Sequence, residues 1–320
     1  MSAFLTWMTL AALANLLSAQ VVAQGPDTAP PPLSSHVMVW HGGLEMVVLF
    51  GGTGPDRQPR NDLWGWDGQG WRLLSTDGPP PRLHCGLAYD SGRDRLVVHG
   101  GIKNREESFG DTWEWDGDSW KRQSIDGPSP GVRDHHALVY DQRREAVVLF
   151  GGQDSDDAFK GDTWTWDGQR WQLQAESGPP PRSTHRLAFD SDRKTVVLFG
   201  GWGPHYQFGD TWEWDGSSWT QVEGAGPSPR GASRAAYAPD LSGLVLFGGV
   251  AGRTALADTW IRRGAAWTRL DVQGPAARNV HAMAYDPLRR RVVLYGGIGE
   301  NGKLGDLWEW DGQEWLQLTD

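Results

Sequence analysis

Side chains that bind transition metals recur at one equivalent position of the chain, at intervals of 48 to 51 residues. The position holds His36, Cys85, His136, His185, Ser233 and His281. Imidazole nitrogens and a thiolate brought together around one axis could bind zinc or copper. A residue that every repeat needs is a weak functional candidate, however, so the pattern alone does not establish a metal site.

A set of arginines precedes this position by three residues in five repeats. The set comprises Arg82, Arg133, Arg182, Arg230 and Arg278. A planar guanidinium can bind a carboxylate through two N–H groups, so these side chains could clamp an acidic ligand. The alternative is that they pair with carboxylates of neighbouring repeat units. We keep Arg82, Arg133, Arg182 and Arg278 as candidate ligand-binding residues.

Aromatic residues that do not belong to the repeat cluster in one segment. Trp202, His205, Tyr206 and Phe208 lie within seven residues of one another. Flat aromatic side chains on an exposed loop suit stacking on sugar rings or gripping a peptide. Folding inward to plug the centre of the molecule is the structural alternative.

Carboxylates are the remaining candidates for chemistry. Glu106, Glu107 and Glu300 could supply acid–base groups, and Asp154, Asp156 and Asp157 could bind a cation. The aspartates lack the spacing of an EF-hand loop and are more simply explained as solvated. The sequence contains no nucleophile elbow, no phosphate-binding loop and no paired zinc-ligand motif. We therefore assign no catalytic residue and no metal ligand, and expect no cofactor.

All of these residues sit in a pattern that the chain repeats six times. Glycine pairs begin at Gly51, Gly100, Gly151, Gly200, Gly248 and Gly296. In the second unit, residues 85–89 and 96–99 read as strands A and B, and the glycine pair ends strand B. Residues 112–115 alternate as strand C, and Trp120 opens strand D after the Asp116–Gly117 turn. Such a unit cannot bury its faces alone, which predicts an all-β, six-bladed propeller of four-stranded antiparallel blades.

The glycine pair after an apolar strand and the two downstream aromatics resemble the kelch repeat, over about residues 31–320. The Trp-x-Trp-Asp-Gly variant looks like repeats of secreted bacterial proteins. The resemblance implies blades at about 35–75, 83–124, 134–175, 183–223, 231–271 and 279–319. Each predicted blade owns its strands A and D, so ring closure by strand exchange is not expected. Kelch repeats commonly have histidine at the first position described above, where it packs at the start of the inner strand, so we expect no metal.

Two enzymes with kelch propellers offer alternatives. Galactose oxidase needs a Tyr–Cys cross-link, an adjacent Tyr-His ligand pair and an extra domain. This chain has Cys85, but His205–Tyr206 is in the reverse order. A funnel-mouth enzyme similar to the kelch-type sialic acid mutarotase would need an acid–base group near an arginine. We regard the protein as more simply non-enzymatic, with an enzyme or a purely structural repeat protein as alternatives.

Loop lengths indicate where a ligand would bind. The A–B and C–D turns are short and leave one end of the ring, whereas the B–C and D–A connections are longer and lie at the other end. Binding residues favour long loops on a rigid scaffold, so we expect the ligand at the B–C/D–A end, called the loop face below.

Composition and the N-terminal sequence indicate the class of partner and the location of the protein. A net charge of −10 disfavours a nucleic acid as partner. The apolar run from Ala3 to Leu17 and the small residues Val21 and Ala23 predict a signal peptide at 1–23, followed by a linker at 24–34. We expect a secreted or periplasmic monomer without a membrane anchor after cleavage. Its predicted function is to bind a carbohydrate or protein partner.

Overall fold

Six blades of four antiparallel strands form one ring. The computed structural model describes residues 29–241 and 243–319, so the predicted signal peptide and the first part of the linker lie outside the described residues. In that part of the chain, no helix has the length and apolarity needed to cross a membrane. The prediction of a six-bladed all-β propeller is confirmed.

The strands follow chain order within each blade, apart from one small ribbon in blade 5. Blade 1 contains β1 (Val37–His41), β2 (Met46–Phe50), β3 (Leu63–Trp66) and β4 (Trp71–Ser75). Blade 2 contains β5 (Gly86–Asp90), β6 (Arg95–Asn104), β7 (Glu107–Trp115) and β8 (Trp120–Arg122). Blade 3 contains β9 (Ala137–Asp141), β10 (Ala146–Gln153), β11 (Phe159–Trp166) and β12 (Trp171–Ala175).

The second half of the ring repeats the plan. Blade 4 contains β13 (Arg186–Asp190), β14 (Thr195–Trp202), β15 (Gln207–Trp214) and β16 (Trp219–Val222). Blade 5 contains β17 (Arg234–Ala238), β18 (Gly243–Phe247), β21 (Thr259–Arg263) and β22 (Ala266–Leu270), with the ribbon β19 (Val250–Ala251) and β20 (Thr254–Ala255) and a 3₁₀ turn at Pro239–Leu241. Blade 6 contains β23 (Ala282–Asp286), β24 (Arg291–Gly299), β25 (Gly302–Trp310) and β26 (Trp315–Thr319).

The first strand of every blade lines the central axis. These six strands contact one another in cyclic order, and β23 of blade 6 contacts β1 of blade 1. Blade 1 consists of its own four strands, so the ring closes without strand exchange, as the sequence indicates.

A closed circle of backbone hydrogen bonds joins the blades at the loop face. It is made by the residue just before the repeated histidine position, which is Ser35, His84, His135, Thr184, Ala232 or Val280. Each N–H donates to the carbonyl of its counterpart in the preceding blade over 2.8–3.1 Å, and the N–H of Ser35 donates to Val280. All six adopt φ of 49–60°, although none is glycine. Such strain, at about 1 kcal/mol or more per residue, persists only where surrounding contacts enforce it.

The glycine pair does not end strand B in four of the blades, which corrects the sequence interpretation. In blade 2, Gly100 and Gly101 have φ of 63° and 102° and create a bulge, after which β6 and β7 continue to pair as far as Asn104. A Cβ on Gly101 would lie 2.9 Å from the Cβ of Cys85. Left-handed φ and this close approach both require glycine. Extended hairpins therefore replace the predicted loops in blades 2, 3, 4 and 6.

Tryptophans seal the interfaces between blades. The strand-D tryptophan donates from Nε1 to a threonine Oγ1 of the preceding blade in four interfaces: Trp171 to Thr112, Trp219 to Thr163, Trp267 to Thr211 and Trp315 to Thr259. The distances are 2.8–3.0 Å. Burying an indole costs little free energy when its N–H has such a hydrogen-bond acceptor. These repeated tryptophans are structural.

Candidate ligand-binding site

The repeated arginines form buried ion pairs with the aspartate that precedes strand C. Arg82 donates from Nη1 and Nη2 to the two carboxylate oxygens of Asp111 over 2.7 and 3.1 Å, and from Nη1 to the carbonyl of Gly100 over 2.9 Å. The same pairs recur: Arg133–Asp162, Arg182–Asp210, Arg230–Asp258 and Arg278–Asp306. All five arginines are at most 2% exposed. This geometry supports the structural alternative, because these N–H groups are already used within the blade.

The predicted aromatic residues of blade 4 differ in burial. Phe208 is buried, and the guanidinium carbon of Arg182 lies 3.8 Å from its ring centroid, as Arg82 lies 4.1 Å from Phe109 in blade 2. Phe208 is therefore part of the blade. His205 and Tyr206 are exposed at the tip of the hairpin, with Tyr206 60% exposed.

Trp202 lies lower on the same hairpin and faces the next blade. Its backbone N–H and C=O pair with Ser183 over 2.8 Å in each direction. Its half-buried indole covers Gly231, where a Cβ would lie 2.3 Å from Cδ1 of the ring and 2.7 Å from Oγ1 of Thr184. Because Thr184 belongs to the circle of hydrogen bonds, this places Trp202 beside the loop-face opening of the axis.

The repeated histidines pack against the preceding blade, and His136 also borders a cavity on the axis. His185, His281 and His36 contact Phe150, Phe247 and Tyr295 of the preceding blade edge-on, with ring centroids 5.3–5.7 Å apart. Burial lowers the pKa of His36 to about 3 and raises the pKa of Cys85 to about 12. Within residues 29–241 and 243–319, no group of three or more His, Cys, Asp or Glu side chains could hold a metal ion.

Two arginines that lie outside the repeated set face the axis, and the sequence analysis missed them. Arg186 and Arg234 begin the inner strands of blades 4 and 5, where the other blades have Val37, Gly86, Ala137 and Ala282. The departure of these two positions from the small apolar type of the other four was the available signal.

Both guanidinium groups meet at one carbonyl. Nε of Arg186 donates to the oxygen of Ser233 over 2.6 Å, and Nη1 of Arg234 donates to the same oxygen over 3.1 Å. Burial lowers the pKa of Arg186 to about 9, so its side chain remains charged at neutral pH. No carboxylate of the described residues lies within 4.0 Å of either side chain. Two neighbouring cations without a counter-ion make a site that favours an anion.

The two arginines line a small cavity of about 80 Å³ on the axis, called the neck, together with Cys85, His136 and neighbouring inner-strand residues. The stacked rings of His84 and His135, 3.6 Å apart, lie at the same end. Burial, then the nearby His135 and Arg186, keep the pKa of His84 well below its usual value.

A larger cavity of about 600 Å³, called the funnel, occupies the rest of the axis toward the A–B turns. Each blade contributes four residues, from the middle of its inner strand to the turn that follows. The funnel thus lies at the end opposite to the predicted loop face.

Comparison with known proteins agrees with this architecture. A family model described as the KLHDC2/KLHL20/DRC7 Kelch-repeats domain matches residues 112–263. Among 450 matching chains of solved structures, the structure of YjhT aligns over 91% of this chain and 98% of its own, with a TM-score of 0.70. The family model covers 152 of the 320 residues, and together with the six-bladed ring it supports a kelch-repeat family. The identity to YjhT is 17%, so that likeness shows the fold alone. No match was found among curated proteins.

Blade 1 departs from the ion-pair pattern of the other five blades. Leu33 occupies the position that the repeated arginines take in the other blades. The carbonyl of Leu33 accepts the N–H of Gly297, just as the carbonyl of Arg82 accepts the N–H of Gly52. Within the described part of the chain, Asp62 therefore has no ion-paired arginine like those of its counterparts, and burial raises its pKa despite the nearby Arg60. Nε1 of Trp64 is buried and has no hydrogen-bond partner among the described residues, whereas Trp113 donates to Asp111 over 2.7 Å.

Proposed function

We propose that the protein is an exported, non-enzymatic kelch propeller that binds an acidic group of a carbohydrate or protein partner at the loop face. The observation that carries this proposal is the pair Arg186 and Arg234, two adjacent cations on the axis without a carboxylate among the described residues. A partner's carboxylate would supply the missing counter-ion and accept charge-assisted hydrogen bonds from the free N–H groups.

The surroundings of the pair support a loop-face partner. Inner strands run from the loop face toward the A–B turns, and Arg186 and Arg234 are the first residues of theirs. Trp202 lies beside the same opening, and exposed Tyr206 stands above it on the hairpin. A partner could therefore combine an ion pair at the axis with aromatic contacts at the rim, the usual composition of a binding hot spot.

Binding without catalysis fits the positions of the remaining carboxylates. Glu106 and Glu300 are exposed near the tips of their hairpins, and Glu107 pairs with Lys103 over 2.8 Å. An acid–base mechanism would need one of them within hydrogen-bond reach of the reacting group at the arginines. Export rests on the predicted signal peptide.

The test is binding of uronic-acid oligosaccharides and of Asp/Glu-rich peptides, each beside a neutral counterpart, to the mature chain and its variants. We expect acidic probes to bind and Arg186→Gln/Arg234→Gln to weaken them about tenfold or more. The matched control is Arg253→Gln, an exposed arginine in the blade 5 ribbon, which should leave affinity unchanged. Equal affinity for acidic and neutral probes, or insensitivity to the double substitution, would contradict the proposal.

A further inference from the structure

The funnel and the neck share one layer of lining residues. The same six residues, one from each blade, line both cavities: Met38, Leu87, Leu138, Leu187, Ala235 and Met283. A molecule in the funnel would have to pass this boundary layer to reach the arginines. Because the neck has a volume of only about 80 Å³, a small head group such as a carboxylate fits there and a larger body does not.

The boundary layer has its smallest side chain next to the arginines. Five blades supply Leu or Met, whereas blade 5 supplies Ala235, which directly follows Arg234. The layer is therefore most open beside the guanidinium pair.

The funnel itself presents carbon surface. No charged side chain is among its lining residues within the described chain. An aromatic layer surrounds it, formed by Trp40, Tyr89, Tyr140, Phe189, Tyr237 and Tyr285. The Tyr89 and Tyr285 hydroxyls donate to Asp94 and Asp240 in the A–B turns over 2.7 and 2.9 Å, so their polar ends are already satisfied. A volume of about 600 Å³ is within the range of small-molecule sites.

We propose that the channel binds a small amphipathic carboxylate, with its apolar, aryl or alkyl body in the funnel and its carboxylate in the neck at Arg186 and Arg234. The molecule enters from the A–B turn end and passes the boundary layer at Ala235. This inference shares only the arginine pair with the proposed function, since the loop-face partner approaches from the opposite end and needs no funnel.

Charge and shape complementarity both carry the assignment. The carboxylate neutralises two cations that otherwise repel each other, and the apolar body buries its surface against the aromatic and aliphatic layers. Neither part of the channel suffices alone, because a head group without a body leaves the funnel unfilled and a body without a charge leaves the arginines unpaired.

The probe is 4-butylbenzoate, compared with its neutral isostere 4-butylbenzamide and with acetate, by calorimetry at several temperatures. We expect 4-butylbenzoate to bind with a negative heat-capacity change, the marker of apolar burial. The amide and acetate should each bind about tenfold or more weakly. Equal affinity for the acid and the amide, or no binding of the acid, would overturn the proposal.

Two substitutions locate the ligand. Arg186→Gln/Arg234→Gln should reduce the affinity for 4-butylbenzoate about tenfold or more. Ala235→Leu should do the same by closing the boundary layer, with the residue that blades 2, 3 and 4 carry there; if it does not fold, Ala235→Val replaces it. Unchanged affinity in a folded Ala235 variant would place the ligand elsewhere and overturn the proposal.

The two proposals fail separately. If acidic oligosaccharides or peptides bind through the arginines while 4-butylbenzoate does not, the funnel site is wrong and the loop-face function stands. If 4-butylbenzoate binds through the arginines and no acidic oligosaccharide or peptide does, the loop-face function is wrong and the funnel site stands.

Discussion

Arginine side chains have different roles at two sets of positions in this protein. Arg82 and its counterparts form a two-pronged ion pair with a carboxylate, whereas Arg186 and Arg234 share one carbonyl as acceptor and have no carboxylate partner among the described residues. Removing one partner of a buried ion pair lowers stability, because the other charge stays buried without a counter-ion. An unpaired buried cation already destabilises the folded state, so its removal should not lower stability in the same way. The partner, and not the residue type, decides the role.

This difference predicts stability changes of opposite sign. Arg82→Gln leaves Asp111 partly buried without its counter-ion and should lower the free energy of unfolding by about 3–5 kcal/mol. Arg186→Gln removes a desolvated charge beside Arg234 and should raise the melting temperature. Calorimetric melting of both variants in ligand-free buffer at low salt checks the signs. A loss of stability in Arg186→Gln comparable to that in Arg82→Gln would mean that Arg186 has a structural partner.

Trp166 and Trp202 are expected to respond differently to substitution by alanine. Trp166 is fully buried and donates to Glu114 of the preceding blade over 2.8 Å, so Trp166→Ala should cost about 3–5 kcal/mol of stability. Trp202→Ala removes a half-buried ring at the loop face and should weaken partner binding about tenfold with a smaller change in melting. If Trp202→Ala melts like Trp166→Ala and binds normally, Trp202 is structural and not part of the site.

At the scale of elements, one position of strand C is a glutamate in every second blade. Between its two aromatic positions, blades 2, 4 and 6 carry Glu114, Glu213 and Glu309, and the next blade supplies the partner. Trp66 and Trp166 donate to two of these glutamates, and Arg262 of blade 5 contacts Glu213 instead. Arg262 stands where the other five blades have tryptophan. The structure gives Arg262 a partner within the chain.

The alternation predicts how blade 5 tolerates change. Arg262 is 2% exposed, so Arg262→Ala should leave a cavity and remove a cation from Glu213, at a cost of about 3–5 kcal/mol. Arg262→Trp restores the residue of blades 1 and 3, whose indole can donate to the same glutamate, and should cost clearly less. Urea denaturation of the two variants measures the difference, and equal losses would show that the indole cannot replace the guanidinium.

At the scale of the whole molecule, buried neutral histidines make stability depend on pH. Burial lowers the pKa of His36 and His99 to about 3, and the pKa values of His136, His185 and His281 lie well below the usual value. The unfolded chain takes up these protons near pH 6.5, while the folded chain does not. Folding is therefore favoured above that pH and loses free energy as the pH falls toward the folded pKa.

The expected loss is about 1.4 kcal/mol per buried histidine at about pH 5.5, relative to neutral pH. Melting temperatures measured between about pH 7.5 and 5 should fall, and His281→Phe should flatten the slope relative to the parent chain. A melting temperature that stays constant over this range would show that the histidines are protonated in the folded ring.

The sequence by itself determined the architecture of this protein. A period of 48 to 51 residues with the same strand pattern in each unit permits only blades packed around an axis, since a four-stranded sheet cannot bury both faces alone. Every repeat contains tryptophans at equivalent positions, and the structure places them at the interfaces between blades. The glycine bulge was misread as a strand end because a ladder that resumes beyond a bulge depends on left-handed φ values at both glycines.

Only the tertiary structure decided the site. Whether an arginine forms an ion pair depends on which carboxylates the folded ring brings within 4 Å of it. Asp111, which pairs with Arg82, is 29 residues away in sequence, and no described carboxylate lies that close to Arg186. The neck and the funnel arise from six inner strands that are distant in sequence and meet only when the circle of hydrogen bonds closes. Local pattern encodes each blade, but the axis belongs to no single blade, so its chemistry exists only in the assembled ring.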